Sequence, residues 1–317
     1  MKTEHKTWLQ NKFGSMVSFN EPMSAHTTLG IGGPANIVTV KTDQQIKELA
    51  HWSQKNQVPI MILGAGSNLL VRDAGICGVV ARLANGFTSI ERSGQTTDGL
   101  YVTLRVGAGV LLPKLCRYAL SEGLAGLNFA LGIPGTVGGA IRMNAGAWGK
   151  SMADYVTSIT VLNSHGEIER IAKQDLLFSY RELELKRGTI ILRGEFRLRP
   201  SDPKALHEDA AQIIKQRRSR QPACTGTAGC FFKNPSDGPS AGELIEKAGL
   251  KGAKIGNAQI SMAHANFIIN KGGATASDVI SLTQQAQTVV YEKFGIRLKR
   301  EVIVVGKETT SEKPLQA

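Results

Sequence analysis

Apolar positions in this chain recur with two different periods, and the switches between them predict alternating strands and helices. The run over 37–41 reads as a strand, the repeat Ile46, Leu49, Ala50 within 43–56 as a helix with one buried face, and 59–63 as a buried strand. Asp43 stands where a helix N-cap is expected. This β-α-β unit delivers Leu63-Gly-Ala-Gly-Ser-Asn-Leu at the end of a strand. Strands over 78–83 and 101–106 and a helix over 112–122 follow. The run 157–171 contains Asn163-Ser-His-Gly166, a hairpin turn, and 188–198 is a further strand. After a polar break at 199–203, the stripe Leu206, Ala210, Ile213, Ile214 predicts a long helix. Helices over 241–248 and 277–294 and a terminal strand over 301–305 complete the pattern. The polar remainder from Lys307 is expected to be a loose tail.

A length of 317 residues suits two or three packed units. No apolar run approaches the ~20 residues of a bilayer span, so no membrane association is expected. The opening stretch MKTEHKTWLQNKFG is charged and lacks the apolar core of a secretory signal, which predicts a cytoplasmic protein. Cys77, Cys116, Cys224 and Cys230 lie far apart with no C-x-x-C spacing, and the six histidines form no H-E-x-x-H. No disulfide framework and no metal site are expected. The formal net charge of +12 points to an anionic partner. Only Lys215-Gln-Arg-Arg-Ser-Arg220 is densely basic, and without interleaved aromatics it reads as a solvated helix end rather than a nucleic-acid patch.

The 35 glycines change the picture, because they cluster at 30–33, 64–66 and 123–149. Gly64-Ala-Gly66 follows a strand as a dinucleotide fingerprint does, but Leu69 occupies the third glycine position; Gly107-Ala-Gly109 fails likewise at Leu112. The P-loop-like Asn144-Ala-Gly-Ala-Trp-Gly-Lys-Ser151 has asparagine where the first glycine is required. Neither an ordinary Rossmann site nor a nucleotide triphosphatase is supported. What remains is a run of glycine-loop amides able to hold anions, with Ser67 and Asn68 as added donors to phosphate oxygens. The stretch from Gly132 to Gly149, which includes Thr136 and Asn144, is expected to be a long functional loop.

Six motifs in order carry a resemblance. Leu63-Gly-Ala-Gly-Ser-Asn-Leu-Leu70, Ile133-Pro-Gly-Thr-Val-Gly-Gly-Ala140, Met143-Asn-Ala-Gly-Ala147, Ser179-Tyr-Arg181, Phe231-Phe-Lys-Asn-Pro235 and His264-Ala-Asn-Phe267 resemble the UDP-N-acetylenolpyruvoylglucosamine reductase family. The likeness runs from about Thr27 to Gly306, in the family's short form, since no tyrosine lies between Arg181 and Cys230. It implies an α+β fold: a two-part FAD-binding domain of the PCMH/vanillyl-alcohol-oxidase type (22–84, to which 301–306 is a candidate addition, and 85–199), a C-terminal α+β substrate-binding domain (202–300), and a flexible tail (307–317). It also implies non-covalent FAD held by Gly64, Ala65, Gly66, Ser67, Asn68, Pro134, Gly135, Thr136, Gly138, Gly139, Asn144, Ala145 and Gly146. The partners implied are NADPH and a UDP-sugar, with no nucleic acid, and the protein is expected to be a monomer.

In that family hydride passes from flavin N5 to an enolpyruvyl ether, and charge flows onto the carboxylate. Arg181 is implied as its fixed cation. Cys230 stands where the family usually places a serine that protonates the α-carbon, and a thiol gives up a proton more readily than an alcohol. Glu301 is the third implied catalytic residue. Lys233 and Asn234 are implied contacts to the diphosphate and sugar region, with Gln259, His264 and Asn266 as further substrate residues. Two other readings stay open from sequence: an FAD-dependent oxidase on the same scaffold, and a basic nucleic-acid-binding protein.

Overall fold

The computed structural model describes residues 1–97, 99–222 and 226–308; Cys224 and the expected tail beyond 308 lie outside the described residues. Its helices are α1 (Thr3–Phe13), α2 (Asp43–Asn56), α3 (Leu112–Ser121), α4 (Val137–Arg142), α5 (Pro203–Arg220), α6 (Ala241–Lys247) and α7 (Ala276–Phe294). The chain forms two compact units, one of 1–37, 65–80 and 220 onward, the other of 38–64 and 81–219. Among the described residues no helix is long and apolar enough to cross a membrane.

In the second unit an antiparallel sheet runs in the order Ile168–Ala172, Val156–Leu162, Ile190–Pro200, Val102–Gly107, Ile90–Gln95. Val102, Leu104 and Val106 alternate inward and are fully buried, with Phe196 opposite Leu104. Leu112, Leu115 and Cys116 of α3 and Val137 and Ile141 of α4 belong to the same core. Each large side chain so buried contributes about 1.5–3 kcal/mol. Burial also pushes the Cys116 thiol up to about 12, so it is packing rather than chemistry. The expected turn at 163–166 forms as drawn: Asn163 Oδ1 accepts the N–H groups of His165 and Glu167, both at 3.0 Å, and Gly166 takes φ +81°.

Local corrections have local causes. The N-cap of α2 is Thr42, whose hydroxyl accepts from Gln45 N–H at 3.2 Å, while Asp43 sits in the first turn and pairs with Arg193 at 2.8 Å. Trp52, not Ala50, completes the buried face with Ile46 and Leu49. The expected long loop after Gly132 is interrupted by α4, capped by Thr136, whose hydroxyl accepts from Gly139 N–H at 3.4 Å. Glycine normally disfavours a helix by about 1 kcal/mol, but a Cβ at Gly138 would lie 2.8 Å from the Ala108 Cβ, so close packing excludes a better helix former.

On the outer face of that sheet, Glu195 gathers three donors: Arg105 at 3.2 Å, Arg170 at 2.9 Å and the Ser158 hydroxyl at 2.8 Å. Burial raises its pKa, but the bonds from Arg170, Ser158 and Arg105 outweigh that and hold the carboxyl below its ordinary value. A depressed pKa adds stability above the unfolded value that is lost as pH falls through the folded one. Glu195→Gln is therefore expected to cost about 1 kcal/mol in urea unfolding at pH 7, the figure being limited by the exposure of both arginines. The difference from wild type should shrink toward zero in acid; a pH-independent difference would contradict this reading.

In the first unit a second antiparallel sheet has the order Thr227–Cys230, Phe267–Asn270, Ala258–Ile260, Lys254–Ile255. Leu244 and Ile245 of α6 and Val279, Leu282, Ala286 and Val290 of α7 share its core with Ile260, Ile268 and Phe231. α7 opens on a capping box of Thr275 and Asp278, and the Asp73 carboxylate accepts the N–H groups of Ala276 and Ser277 at 2.8 and 3.1 Å. The terminal strand Ile303–Val305 pairs in parallel with Leu69–Val71. Lys307 and Glu308, expected in the loose tail, are tied down, one to the Gly75 carbonyl at 3.0 Å and the other to Arg72 at 3.0 Å.

Candidate active site

Cys230 ends a strand whose pairing slips: Thr227 lies opposite Ile269 and Cys230 opposite Phe267, so three steps on one side match two on the other. Gly229 supplies the extra residue at φ +80°, with nothing within 4 Å of a hypothetical Cβ, so it is conformation and not space that demands glycine there. A bulge of this kind re-aims the following side chain, here the thiol of Cys230, which is partly buried and in no disulfide.

The residue after it is gripped on both edges. Phe231 N–H donates to the Asn266 carbonyl at 2.8 Å, and its own carbonyl accepts Glu301 N–H at 2.8 Å. Asn68 Nδ2 in turn donates to the Glu301 carbonyl at 3.1 Å. The first unit thus brings Cys230, Glu301, Asn68 and Asn266 together from four separate stretches of chain. Asn266 is 3% exposed, and its side chain pairs like a strand with Phe232, accepting from N–H at 2.9 Å and donating to the carbonyl at 2.8 Å. Lys233 N–H donates to the Lys299 carbonyl at 2.8 Å, continuing the pairing toward Glu301.

The other expected substrate residues lie in the same unit. Asn234 Oδ1 accepts the first amide of α6, at Ala241, at 3.1 Å. Gln259 Nε2 donates to the Gly252 carbonyl at 3.2 Å. His264 accepts Asn266 N–H on Nδ1 at 3.2 Å and sets its ring edge-on to Phe267, 4.8 Å between centroids. Burial lowers the His264 pKa, which keeps the ring neutral near pH 7.

In the second unit Arg181 sits at the tip of a hairpin made by Leu177–Ser179 and Glu182–Glu184. Its φ is +59°, a strained value for a residue with a Cβ, costing about 1–2 kcal/mol. Its Nη1 donates to the Gly146 carbonyl at 2.7 Å, and its Cζ lies 5.3 Å from the centre of the Tyr180 ring. The glycine loop that follows α4 therefore holds the arginine directly. Ala145 N–H donates to the Ala140 carbonyl at 2.8 Å, which fixes that loop against α4, and ahead of α4 the Gly135 carbonyl accepts Leu112 N–H, the first of α3, at 2.9 Å. The basic run is the exposed end of α5, as expected, except at Arg217, which is partly buried and whose Cδ would lie 3.0 Å from a Cβ at Gly132.

Whether these loops suit FAD can be asked of each unit. No oxygen among the described residues accepts the N–H of Ala65 or Gly66. Gly66 is buried, and buried amides are almost always paired, so this turn offers donors of the kind that the oxygens of a diphosphate would accept from. A side chain is excluded at the same turn, since a Cβ on Gly66 would lie 2.1 Å from the His26 carbonyl oxygen. In the second unit a Cβ on Gly64 would lie 2.6 Å from Thr136 Oγ1, leaving bare backbone beside that hydroxyl. The residues present fit the group.

Comparison with known proteins agrees. The family model described as "FAD binding domain" matches residues 34–172, and that of the UDP-N-acetylenolpyruvoylglucosamine reductase C-terminal domain matches 221–305. The UDP-N-acetylenolpyruvoylglucosamine reductase of Desulfosudis oleivorans is 43% identical over 95% of this chain and 98% of its own. Reductase 2 of Symbiobacterium thermophilum is 44% identical over 90% of this chain and 91% of its own. The crystal structure of the Thermus caldophilus reductase superposes with a TM-score of 0.79 at 38% identity, covering 91% of this chain and 98% of that one. With an FAD-binding domain followed by the reductase C-terminal domain, the chain belongs to the UDP-N-acetylenolpyruvoylglucosamine reductase family and is an FAD-dependent oxidoreductase.

Proposed function

We propose that the protein reduces UDP-N-acetylglucosamine enolpyruvate to UDP-N-acetylmuramate, a step of peptidoglycan precursor synthesis, with NADPH as electron donor. Bound FAD supplies hydride transfer, from NADPH to the terminal enolpyruvyl carbon. Arg181 holds the substrate carboxylate, onto whose oxygens negative charge spreads as hydride arrives; a planar guanidinium matches that group with two parallel bonds. Cys230 delivers a proton to the α-carbon, so the double bond gains one hydride and one proton, and the resulting thiolate is reprotonated from water. Glu301 hydrogen-bonds the enolic carboxylate or the water that relays the proton. Lys233, Asn234, Gln259 and His264 contact the diphosphate and sugar, with Asn266 acting through the strand it pins.

The loops carrying Gly64, Ala65, Gly66, Ser67, Asn68, Pro134, Gly135, Thr136, Gly138, Gly139, Ala145 and Gly146 hold the cofactor, largely by backbone. In this reading 22–84 with 301–306, and 85–199, are the two parts of the FAD-binding domain, and 202–300 is the substrate domain; the pairing of Ile303–Val305 with Leu69–Val71 supports the inclusion of the terminal strand. The protein acts as a monomer in the cytoplasm. The observation that carries the assignment is the bulge at Gly229, which turns Cys230 out of register beside the backbone of Glu301.

The reductase C-terminal domain over 221–305 favours this reading over an oxidase on the same scaffold and over a nucleic-acid binder. NADPH consumption in air is expected to rise by about tenfold or more on adding the enolpyruvyl substrate. Equal consumption with and without it would favour the oxidase.

A further inference from the structure

The left-handed backbone of Arg181 needs an explanation, because strain of this kind persists only where the surroundings over-determine it. Three bonds from one short segment do so. Arg142, the last residue of α4, donates through Nη1 to the Leu183 carbonyl. Asn144 donates through Nδ2 to the Ser179 carbonyl at 2.8 Å. Gly146 accepts Arg181 Nη1 at 2.7 Å. Residues 142, 144 and 146 thus grip the hairpin on its far strand, its near strand and its tip.

Asn144 is the middle of this grip and joins it to a third element. It is 8% exposed and itself left-handed, at φ +40°. Its Oδ1 accepts Ala153 N–H at 3.0 Å. The Ala153 carbonyl accepts Lys173 Nζ, which lies 4.5 Å over the ring of Phe178, the residue before Ser179. A side-chain amide accepts from an N–H and donates to a carbonyl at once, and asparagine tolerates positive φ better than other residues with a Cβ. Aspartate keeps the acceptor toward Ala153 but turns an oxygen toward the Ser179 carbonyl.

We propose that Asn144 is the positioning residue of Arg181: through the Ser179 carbonyl it fixes the direction in which the guanidinium is presented, and its side chain is not a flavin ligand. This rests on the reading of Arg181 as the carboxylate partner.

The test is calorimetric titration of the FAD-loaded enzyme with UDP-N-acetylmuramate, which has a carboxylate, and with UDP-N-acetylglucosamine, which lacks one. Asn144→Asp should weaken the first ligand by about tenfold, the scale of a misaligned charge-assisted bond. The second ligand should change by less than about twofold, and in an Arg181→Met background the added Asn144→Asp should have no further effect. Equal weakening of both ligands, or a full loss on top of Arg181→Met, overturns the proposal. If Arg181→Met alone leaves both affinities intact, it is the carboxylate reading of Arg181 that fails, and the proposal with it. Asn144→Gly, which suits the backbone, adds no charge and removes both bonds, carries the same expectations and replaces Asn144→Asp should that variant not fold.

Discussion

Cys230→Ala is expected to slow reoxidation of the reduced enzyme by the enolpyruvyl substrate by about 10²–10⁴, the range seen when a positioned general acid is removed. Reduction of the bound flavin by NADPH should stay within about twofold of wild type, because that half-reaction needs no proton at the substrate's α-carbon. Anaerobic rapid mixing separates the two steps by the bleaching and return of flavin absorbance. Cys230→Ser should recover much of the loss, since a hydroxyl also donates a proton, though less readily. The bulge at Gly229 gives the expectation its structural basis: it takes Cys230 out of simple alternation and sets it beside the stretch that carries Glu301. Equal loss in both half-reactions would remove the acid assignment.

Gly66→Ala is expected to cost about 2–5 kcal/mol, the sum of forced packing and a left-handed backbone. A Cβ there would lie 2.1 Å from the His26 carbonyl oxygen and 2.9 Å from the Thr27 Cα, and φ is +63°. Backbone on the far side cannot yield as a flexible side chain does, and the Thr28 N–H that donates to the Gly66 carbonyl at 3.1 Å would move with it. The purified variant should be nearly colourless, with the thermal midpoint lowered by about 5–10 °C. Gly149→Ala is the control for backbone strain alone, since φ there is +73° with nothing within 4 Å. Full flavin content and an unchanged midpoint in Gly66→Ala would show that the turn is not needed in this form.

Long periodic stretches were legible in the chain's own pattern. The stripe of α7 and the alternation of Val102, Leu104 and Val106 are each set by burial of one face, which is what the period records. Short features set by contacts distant in sequence were not. α4 hides behind paired glycines that pack on Ala108, and α1 buries only Leu9 and Phe13, too few to draw a stripe. The run 215–220 is solvated as its composition suggests, but the approach of Arg217 to Gly132 is set by a residue far off in sequence. The site divides in the same way. Motifs picked out Cys230, Glu301 and Arg181, but the slip at Gly229 that aims one rests on the pairing of Cys230 with Phe267, and the bond that aims another joins Asn144 to Ser179, 35 residues on; neither partner is visible in the local pattern.

The central claim, that electrons taken from NADPH end on an enolpyruvyl ether, is tested most directly in one anaerobic turnover. The enzyme is reduced with one equivalent of NADPH and mixed with one equivalent of UDP-N-acetylglucosamine enolpyruvate. Flavin absorbance should return in full as one equivalent of UDP-N-acetylmuramate appears. Absorbance that stays bleached until oxygen is admitted, with the sugar nucleotide recovered unchanged, would contradict the account.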